Sequence, residues 1–305
     1  MAPLVVLGSL NVDLVARVPA LPAPGETALG RRLETFTGGK GANQAIAAAR
    51  LGGRVAMVGR VGRDAGGDAL LAQLARDGVD AAGVARDDRE PTGTALIMVD
   101  DAGENLIAVT AGANGGVGAP DVDRALAEAG ADGLLVLQLE VPPEAVARAV
   151  ALASRGGVRV VLNAAPAAAL DPALLRGLEA LVVNESEAAA LLGRALPGPE
   201  AARELQAAGA RLAVVTLGAA GAALCDASGP QSVEPFAVTA VDTTAAGDAF
   251  VGARAVGLAA GRPAPEAARL ASAAGAAAAT RAGAQASLPT AADLVRLFGV
   301  TAPEP

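Results

Sequence analysis

Short apolar runs alternate with alanine-rich stretches along this chain, and this alternation constrains the fold more than any other feature of the sequence. The apolar runs are short enough to be buried strands, and the alanine-rich stretches between them are typical of helices. The predicted strands of this group lie at residues 4–7, 55–61, 134–139, 158–162, 180–183, 212–216 and 222–225. Strands that alternate with helices form a parallel sheet with helices on both faces. The sequence therefore predicts an α/β fold in three layers, α/β/α, around a mostly parallel central sheet.

Two segments interrupt this alternation and predict a second, smaller sheet. Residues 14–37 are rich in proline and glycine, and a strand is predicted near residues 28–36. Residues 91–99 and 105–110 alternate as strands on either side of the turn Asp100–Gly103, which is typical of a hairpin. The sequence shows no internal repeat and no linker between domains, so we expect one domain over residues 1–305.

The composition excludes several classes of function. The chain has no His, Trp or Tyr, which excludes His-dependent catalytic triads, His-ligated metal sites and a nucleotide base held between Trp or Tyr rings. A net charge of −8 argues against nucleic acid or an anionic membrane as the partner. No apolar run approaches the roughly 20 residues of a membrane span, and the N-terminus lacks the basic region of a signal peptide. With Cys225 as the one cysteine, we expect a cytoplasmic protein.

The stretch Val241–Phe250 combines small residues with two aspartates and predicts an anion site. An apolar run at 236–241 predicts a strand before it, and residues 250–260 predict a helix after it. The first turn of a helix has free backbone N–H groups and partial positive charge, which suits a phosphate group. Asp248 would repel that anion unless it takes a proton from the group that attacks the phosphate. The alternative is that Asp248 only caps an ordinary helix.

A glycine-rich segment, Gly38–Ala45, contains the only lysine of the chain, Lys40. Its glycines let the backbone approach a ligand closely, and Lys40 and Asn43 can point at that ligand from the first turn of a helix. Arginine is abundant elsewhere, so a single lysine suggests a position that the wide planar guanidinium cannot fill. Chance is the alternative explanation. The segment lacks the glycine spacing of a Walker A loop.

Polar residues follow several predicted strands where each strand ends. Asn11 and Asp13 follow the first strand, where they suit the hydroxyl groups of a polyol or, alternatively, stabilise a turn. Asn184 and Glu187 stand three residues apart at a helix start, where they could hold Mg²⁺ through water or form a helix cap. The turn 216–221 is of a kind found beside nucleotides. Carboxyl ends of parallel strands meet at one edge of a sheet, so the sequence predicts an active-site crevice there.

Together these motifs resemble the ribokinase/PfkB family of carbohydrate kinases over nearly the whole chain. The motifs that carry the resemblance are Gly8–Asp13, Pro24–Thr27, Gly38–Gln44, Gly103–Asn105, Ala111–Asn114, Asn184–Glu187, Thr216–Gly218 and Asp242–Asp248. The last motif is the most specific to the family, and Gly38–Gln44 points within the family towards ribose. The resemblance implies ATP-dependent phosphorylation of D-ribose at its 5-hydroxyl, with Mg²⁺ bound alongside ATP and K⁺ as a monovalent activator.

The resemblance also implies roles for individual residues. Asp248 would be the general base, and the backbone N–H groups of Ala245, Ala246 and Gly247 would form the anion hole. The sugar would contact Asn11, Asp13, Gly39, Lys40, Asn43, Glu140 and Asp248. The nucleotide would contact Asn184, Thr216, Leu217, Gly218, Ala219, Ala220, Gly221, Gly247 and Ser272, the last standing where relatives often carry a larger residue. A potassium ion would be held, mostly by backbone carbonyls, at Asp242, Thr244, Ala278, Arg281, Gly283 and Ser287.

The resemblance further implies that residues 14–37 and 91–110 form a lid, and that the lid sheet pairs with a second subunit in a homodimer. Two alternatives stay open. The chain could be a kinase for another small sugar, such as 2-deoxyribose, fructose or a keto-deoxy sugar acid. It could instead be a sugar-binding regulator that has lost catalysis, although an intact Asp248 and its turn argue against this.

Overall fold

A computed structural model describes residues 1–304 of the chain. The strands are β1 (Leu4–Leu7), β2 (Asn11–Arg17), β3 (Arg32–Gly38), β4 (Val55–Gly62), β5 (Asp80–Asp87), β6 (Gly93–Val99), β7 (Asn105–Thr110), β8 (Leu134–Leu137), β9 (Arg159–Asn163), β10 (Ala180–Asn184), β11 (Ala213–Thr216), β12 (Ala222–Asp226) and β13 (Gly229–Val233). The helices are α1 (Lys40–Arg50), α2 (Ala65–Arg76), α3 (Ala119–Ala129), α4 (Pro143–Gly156), α5 (Pro172–Leu175), α6 (Glu185–Leu192), α7 (Gly198–Ala207), α8 (Ala246–Ala259), α9 (Ala264–Ala279) and α10 (Ala291–Phe298). Two short 3-10 helices span Gly112–Gly116 and Gly218–Ala220.

The large sheet has nine strands in the order β13-β12-β11-β10-β9-β8-β1-β4-β5. The pairs from β11 across to β5 are parallel, and the β12–β13 hairpin adds two antiparallel strands at one edge. The prediction of a mostly parallel central sheet is therefore confirmed. Parallel pairing brings the carboxyl ends of these strands to one edge of the sheet, where polar residues of distant segments meet.

Two apolar clusters, one on each face of the sheet, form the core. Alternate residues of β1 point to opposite faces, so that Leu4 and Val6 join one cluster while Val5 and Leu7 join the other. Helices α1, α8 and α9 supply alanine and larger apolar residues to the first cluster. Helices α3, α4 and α7 supply the second. Helices therefore cover both faces, which confirms the predicted three layers.

A second sheet of four strands has the order β3-β2-β6-β7, and we call it the small sheet. Strands β6 and β7 form the predicted hairpin, in which the Asp100 N–H donates to the Glu104 carbonyl at 3.0 Å. Strand β2 pairs with β3 in antiparallel and with β6 in parallel orientation. The predicted small sheet is confirmed, although the sequence did not predict β2 as one of its members.

The predicted strand at residues 236–241 is wrong, because this segment forms neither helix nor strand. The β12–β13 hairpin already completes that edge of the large sheet. The segment instead runs along the surface, and the Val241 N–H donates to the Ala279 carbonyl at the end of α9, at 2.8 Å. Strands β5 and β13 were not predicted, and helix α8 begins four residues earlier than expected. Within residues 1–304, none of the helices combines the length and apolar character needed to cross a bilayer.

Candidate active site

The carboxyl edge of the large sheet places the predicted site residues beside one another. Asn163, Asn184 and Thr216 are the last residues of β9, β10 and β11, and Asn184 stands directly opposite Thr216 in the parallel register. Glu140 follows β8, the neighbour of β9. Helices α1 and α8 begin at the same edge, so their first turns face these strand ends. The site is therefore assembled from segments that are far apart in the chain.

Helix α8 begins in an unusual backbone conformation. Ala245, which precedes its first residue, has φ 59° and is the only non-glycine residue of positive φ within residues 1–304. A non-glycine residue in this region is strained, and such strain is commonly found at functional sites. Ala245, Gly247 and Asp248 at this turn line a cavity.

The backbone N–H groups at this helix start have few acceptors. Those of Ala245, Gly247 and Asp248 have none within residues 1–304, while the Ala246 N–H donates to the Thr243 carbonyl at 3.2 Å. Two of the three predicted anion-hole donors are thus unengaged, the third belongs to a turn, and the Asp248 N–H adds another donor. Unengaged N–H groups at a helix N-terminus favour an anion.

The Asp248 carboxylate is buried and held by two amides, not by an ion pair. Oδ1 accepts from Gln44 Nε2 and Oδ2 accepts from Asn43 Nδ2, both at 2.9 Å. Burial raises the pKa of Asp248; the charge of Lys40 and the two amide hydrogen bonds lower it in part, and Glu140 adds to the rise. Each oxygen keeps a lone pair for a further donor. Asp248 also lines a cavity.

Lys40 lies among carboxylates without forming a close ion pair with any of them. No carboxylate oxygen lies within 4.0 Å of its Nζ in the described part of the chain. Burial lowers the pKa of Lys40, but the charges of Asp248, Glu140 and Glu187 raise it more, so the net pKa is raised. The ammonium group therefore stays charged and is available to a ligand anion.

The predicted sugar residues surround this centre on the side of the small sheet. Glu140 Oε2 accepts from the Lys40 N–H at 3.0 Å and from Ser9 Oγ at 2.5 Å. Burial, followed by the charges of Glu140 and Asp248, raises the pKa of Asp13 to about 7. Asn11 Oδ1 accepts from Asn114 Nδ2 at 2.7 Å. The structure therefore brings the predicted sugar-binding side chains together around one polar cluster.

Gly39 shows why this part of the site needs a glycine. Its φ is +90°, and a Cβ there would lie 2.7 Å from the Asn11 nitrogen and 2.9 Å from the Ser9 carbonyl oxygen. A side chain at this position would collide with the backbone. Because residue 39 is glycine, the start of α1 can pack directly on the turn after β1. This packing sets the first turn of α1, which contains Lys40 and Asn43, against the segment Ser9–Asn11.

Two cavities adjoin the polar cluster. One of about 380 Å³ lies between the small sheet and the large sheet, and its lining includes Asn11, Val109, Asn114 and Glu140. The other, of about 230 Å³, lies at the start of α8. Its lining comprises Lys40, Asn163, Ala165, Val182, Val183, Asn184, Glu187, Thr216, Thr243, Ala245, Gly247, Asp248 and Val251. Lys40 and Asp248 line the second cavity, and Glu140, whose carboxylate bonds the Lys40 N–H, lines the first.

Among the predicted nucleotide residues, Asn184, Thr216 and Gly247 line the second cavity. Leu217, Gly218, Ala219, Ala220 and Gly221 form the adjoining turn, which is closed by a bond from the Leu217 N–H to the Gly221 carbonyl at 2.9 Å. Ser272 is buried on α9 and does not line this cavity. The turn and the cavity are therefore continuous, but the structure does not place Ser272 with them.

Asn184 and Glu187 form a reciprocal helix cap. The Glu187 N–H donates to Asn184 Oδ1 and the Asn184 N–H donates to Glu187 Oε2, both at 2.8 Å. The capping alternative is therefore observed, yet both side chains also line the second cavity. Burial raises the pKa of Glu187, and the Asn184 hydrogen bond and the Lys40 charge offset part of that rise. Glu187 keeps one oxygen that makes no hydrogen bond within residues 1–304, which fits a water-mediated contact to Mg²⁺.

The predicted potassium residues lie on two segments that contact each other. Asp242 Oδ1 accepts from the Thr244 N–H at 2.8 Å and Oδ2 accepts from the Gly283 N–H at 2.9 Å. Burial raises the pKa of Asp242, but hydrogen bonds from Thr244 and Gly283 hold it below its usual range. The other predicted members are Ala278, Arg281 and Ser287: the Ala278 carbonyl accepts from the Arg281 N–H, and the Ser287 hydroxyl donates to the Ala284 carbonyl. Asp242 therefore joins the segment before α8 to the segment after α9, which together carry the predicted potassium residues.

Four polar residues of the site were given no individual role by the sequence analysis, although Gln44 and Asn114 lie within its motifs. Gln44 contacts Asp248 directly, Gln138 and Asn163 contact Gln44, and Asn114 contacts Asn11. Gln138 interrupts an otherwise apolar stretch, and Asn163 directly follows the predicted strand 158–162. The amide side chain at either position could have been recognised in the sequence as a candidate site residue.

A buried carboxylate and unengaged helix-start amides at one cavity suit the transfer of a phosphoryl group to a hydroxyl group. Residues 1–291 match the sequence profile of the pfkB family carbohydrate kinases. The ribokinase of Schizosaccharomyces pombe is 41% identical over 304 residues, which cover 95% of this chain and 96% of that protein. The chain belongs to the pfkB family of carbohydrate kinases.

Solved structures agree with this family. The ribokinase of Thermotoga maritima superposes with a TM-score of 0.90 at 34% identity, covering 98% of this chain and 100% of the other. The ribokinase of Arabidopsis thaliana, solved with ribose and ATP, gives a TM-score of 0.86 at 33% identity over 97% of this chain and 99% of the other.

Two further matches are to kinases that are not named as ribokinases. A deoxyribokinase of Salmonella typhimurium is 36% identical over 252 residues, which cover 81% of this chain and 82% of that protein. The phosphofructokinase-2 of Escherichia coli, solved with potassium, gives a TM-score of 0.79 at 26% identity over 98% of this chain and 99% of the other.

Proposed function

We propose that this protein phosphorylates D-ribose at its 5-hydroxyl with ATP, giving D-ribose 5-phosphate and ADP. The observation that carries the proposal is the position of Asp248. Its buried carboxylate sits beside unengaged N–H groups at the start of α8 and lines the same cavity as Lys40. A base, an anion site and a fixed cation within one cavity are what transfer of a phosphoryl group to a hydroxyl requires.

In the proposed reaction the sugar hydroxyl oxygen forms a bond to the γ-phosphorus of ATP as the bond to the bridging oxygen of ADP breaks. Asp248 accepts the hydroxyl proton on a lone pair that Asn43 and Gln44 leave free. The N–H groups of Ala245, Ala246 and Gly247 bind the phosphoryl oxygens, and the Asp248 N–H lies next to them. Lys40 offsets the charge that builds up as the phosphoryl group moves.

The proposed sugar site lies between the small sheet and the carboxyl edge of the large sheet. Asn11, Asp13, Gly39, Lys40, Asn43 and Glu140 would hold the hydroxyl groups. Asn43 Oδ1 is buried and has no hydrogen-bond partner within residues 1–304. A buried acceptor without a donor is costly, and a sugar hydroxyl would supply the missing donor. This supports a polyol ligand at this position.

The proposed nucleotide site uses Asn184, the turn 216–221 and Gly247. Asn184 and Glu187 would hold Mg²⁺ through water, where the ion would offset phosphate charge. The potassium residues Asp242, Thr244, Ala278, Arg281, Gly283 and Ser287 would hold K⁺ behind the turn that leads into α8. Because Asp242 contacts both segments, an ion there would order the anion hole without touching substrate.

The deoxyribokinase match makes 2-deoxyribose a second candidate substrate. The two sugars differ at one hydroxyl group, so discrimination depends on whether that hydroxyl meets a buried partner. The test measures ADP release from the full-length protein with ribose, 2-deoxyribose, fructose and a keto-deoxy sugar acid, each with Mg²⁺, with and without K⁺. We expect ribose to give the highest kcat/KM and K⁺ to stimulate turnover. Turnover of fructose without turnover of ribose would overturn the proposed substrate.

A further inference from the structure

A chain of buried amides links the large sheet to the Asp248 carboxylate. Gln44 is its centre: Oε1 accepts from Gln138 Nε2 at 2.7 Å, and Nε2 donates to Asn163 Oδ1 at 3.0 Å and to Asp248 Oδ1 at 2.9 Å. Asn163 Nδ2 in turn donates to the Val182 carbonyl of β10 at 3.1 Å. Gln44 and Gln138 are at most 1% exposed. Both hydrogens of the Gln44 side-chain amide are therefore used in hydrogen bonds.

These contacts leave the Gln44 amide one orientation. If the amide were turned over, its oxygen would face Asn163 Oδ1 and Asp248 Oδ1, which are both acceptors, and its nitrogen would face the Gln138 donor. Water cannot take over these contacts easily, because the groups are buried and closely packed. A Cβ on Gly8 would lie 1.9 Å from Gln138 Oε1. The packing around Gln138 thus fixes the far end of the amide chain.

We propose that Gln44 is a positioning residue for Asp248: held by Gln138 and Asn163, it fixes Oδ1 so that a free lone pair faces the sugar hydroxyl. Asn43 fixes the other oxygen in the same way, but Asn43 is also a proposed sugar contact. Gln44 has no such second role, because its amide hydrogens are donated to Asn163 and Asp248 and its oxygen accepts from Gln138. This inference rests on the proposed function and names a residue that acts through the base.

The hydrogen bond has a second consequence for the base. An amide donor stabilises the ionised carboxylate, so it opposes the effect of burial on the pKa of Asp248. The charged groups that act on this carboxylate from neighbouring elements are Lys40 of α1, Glu140 after β8, Asp13 of β2 and Glu187 of α6. Removing Gln44 leaves these charges in place, so a shift in titration reports the lost hydrogen bond.

The test compares Gln44→Leu with the wild type by the pH dependence of kcat at saturating sugar and ATP. We expect the midpoint of the acidic limb to move up by about one unit, as loss of one hydrogen bond to a charged group predicts, while KM for the sugar changes less than about threefold. Ile46→Val is the control, because Ile46 is buried on the same helix but faces the apolar core. It should leave the limb unmoved.

A double mutant separates positioning from general damage. In an Asp248→Asn background, Gln44→Leu should change the residual rate by less than about threefold, because its effect passes through the carboxylate. A loss that is uniform across pH, or that persists in this background, would overturn the inference. If Gln44→Leu does not fold, Gln138→Met replaces it. That variant should move the acidic limb in the same direction by a smaller amount. An unmoved acidic limb would equally overturn the inference.

A readout without turnover keeps this inference distinct from the proposed function. The ¹³C signal of the Asp248 carboxyl group, assigned by its absence in Asp248→Asn, can be titrated in labelled wild type and in Gln44→Leu. An upward shift of its midpoint supports the inference, and coincident titrations contradict it. Wild-type turnover with the sugar panel decides the proposed function separately.

Discussion

Asp13 is a predicted sugar-binding residue whose ionisation lowers the stability of the fold. Its carboxyl group lies on the small sheet beside two other carboxylates, and burial, with Glu140 and Asp248, raises its pKa to about 7. The folded chain therefore binds this proton more tightly than the unfolded chain, where the pKa is 3.8. Stability from this group is full below about pH 4 and declines as the pH rises to about 7.

Replacing Asp13 by asparagine should remove this decline. We expect Asp13→Asn to raise Tm relative to wild type, and to raise it more at pH 8 than at pH 5, since only the wild type must ionise a crowded carboxyl group. Thermal unfolding of the unliganded protein across this range measures the difference. Asp132→Asn, at the surface, is the control and should show no such trend. A Tm difference for Asp13→Asn that is constant with pH would contradict the raised pKa.

The start of helix α8 is the element on which the site depends most. Its N-terminal turn carries the αL residue Ala245, and Ala246 follows as the first helical residue. An alanine in αL costs about 1–2 kcal/mol, whereas a glycine there costs little. The sequence predicted the anion site at this turn because small residues precede a helix. It did not predict the strained φ, which only the connection to the surrounding chain imposes.

Two neighbouring substitutions should therefore have opposite signs. Ala245→Gly should raise the free energy of unfolding by about 0.5–1 kcal/mol, because relief of strain exceeds the added entropy of the unfolded chain. Ala246→Gly should lower it by about 0.5–1 kcal/mol, because it weakens a helical position. Urea unfolding of both variants measures the pair. The αL assignment would be contradicted if Ala245→Gly were as destabilising as Ala246→Gly.

Elements with clear periodicity were predictable, and those defined by their neighbours were not. The central strands are continuous apolar runs, and β1 was predicted with its observed bounds, Leu4–Leu7. Strand β5 carries charges at Asp80, Arg86 and Asp87 because it is an edge strand, so its sequence is not apolar. Residues 236–241 are mostly apolar but pair with neither sheet. The amide contacts of Gln44 join segments that are distant in the chain, which periodicity cannot reveal.

For the molecule as a whole, the open side of the small sheet suggests a second copy of the chain. Strand β7 is an edge strand, and Leu106, Ile107 and Val109 on it are each more than half exposed. An exposed apolar edge strand is a surface that proteins usually cover. The homodimer implied by the resemblance would cover it, and residues 14–37 and 91–110 would then act as both lid and interface.

We expect the wild type to sediment as a dimer at tens of micromolar, and Ile107→Asp to weaken dimerisation at least about tenfold. Val295→Asp is a matched control, because Val295 is 50% exposed on α10 and Ile107 is 53% exposed. It should leave the dimer intact. Analytical ultracentrifugation over a concentration series measures both. A wild type that stays monomeric throughout the series would contradict the proposed interface.

Substitution of Asp248 by asparagine asks most directly whether one carboxylate at the start of α8 takes the sugar proton. The two measurements are kcat by coupled ADP release at saturating ribose and ATP, and the ribose Kd by calorimetry. Asparagine keeps the shape but cannot accept the proton. We predict that kcat falls by about 10²–10⁴-fold, while Kd changes only a few-fold. A variant that turns over ribose at nearly the wild-type rate would show that Asp248 is not the base.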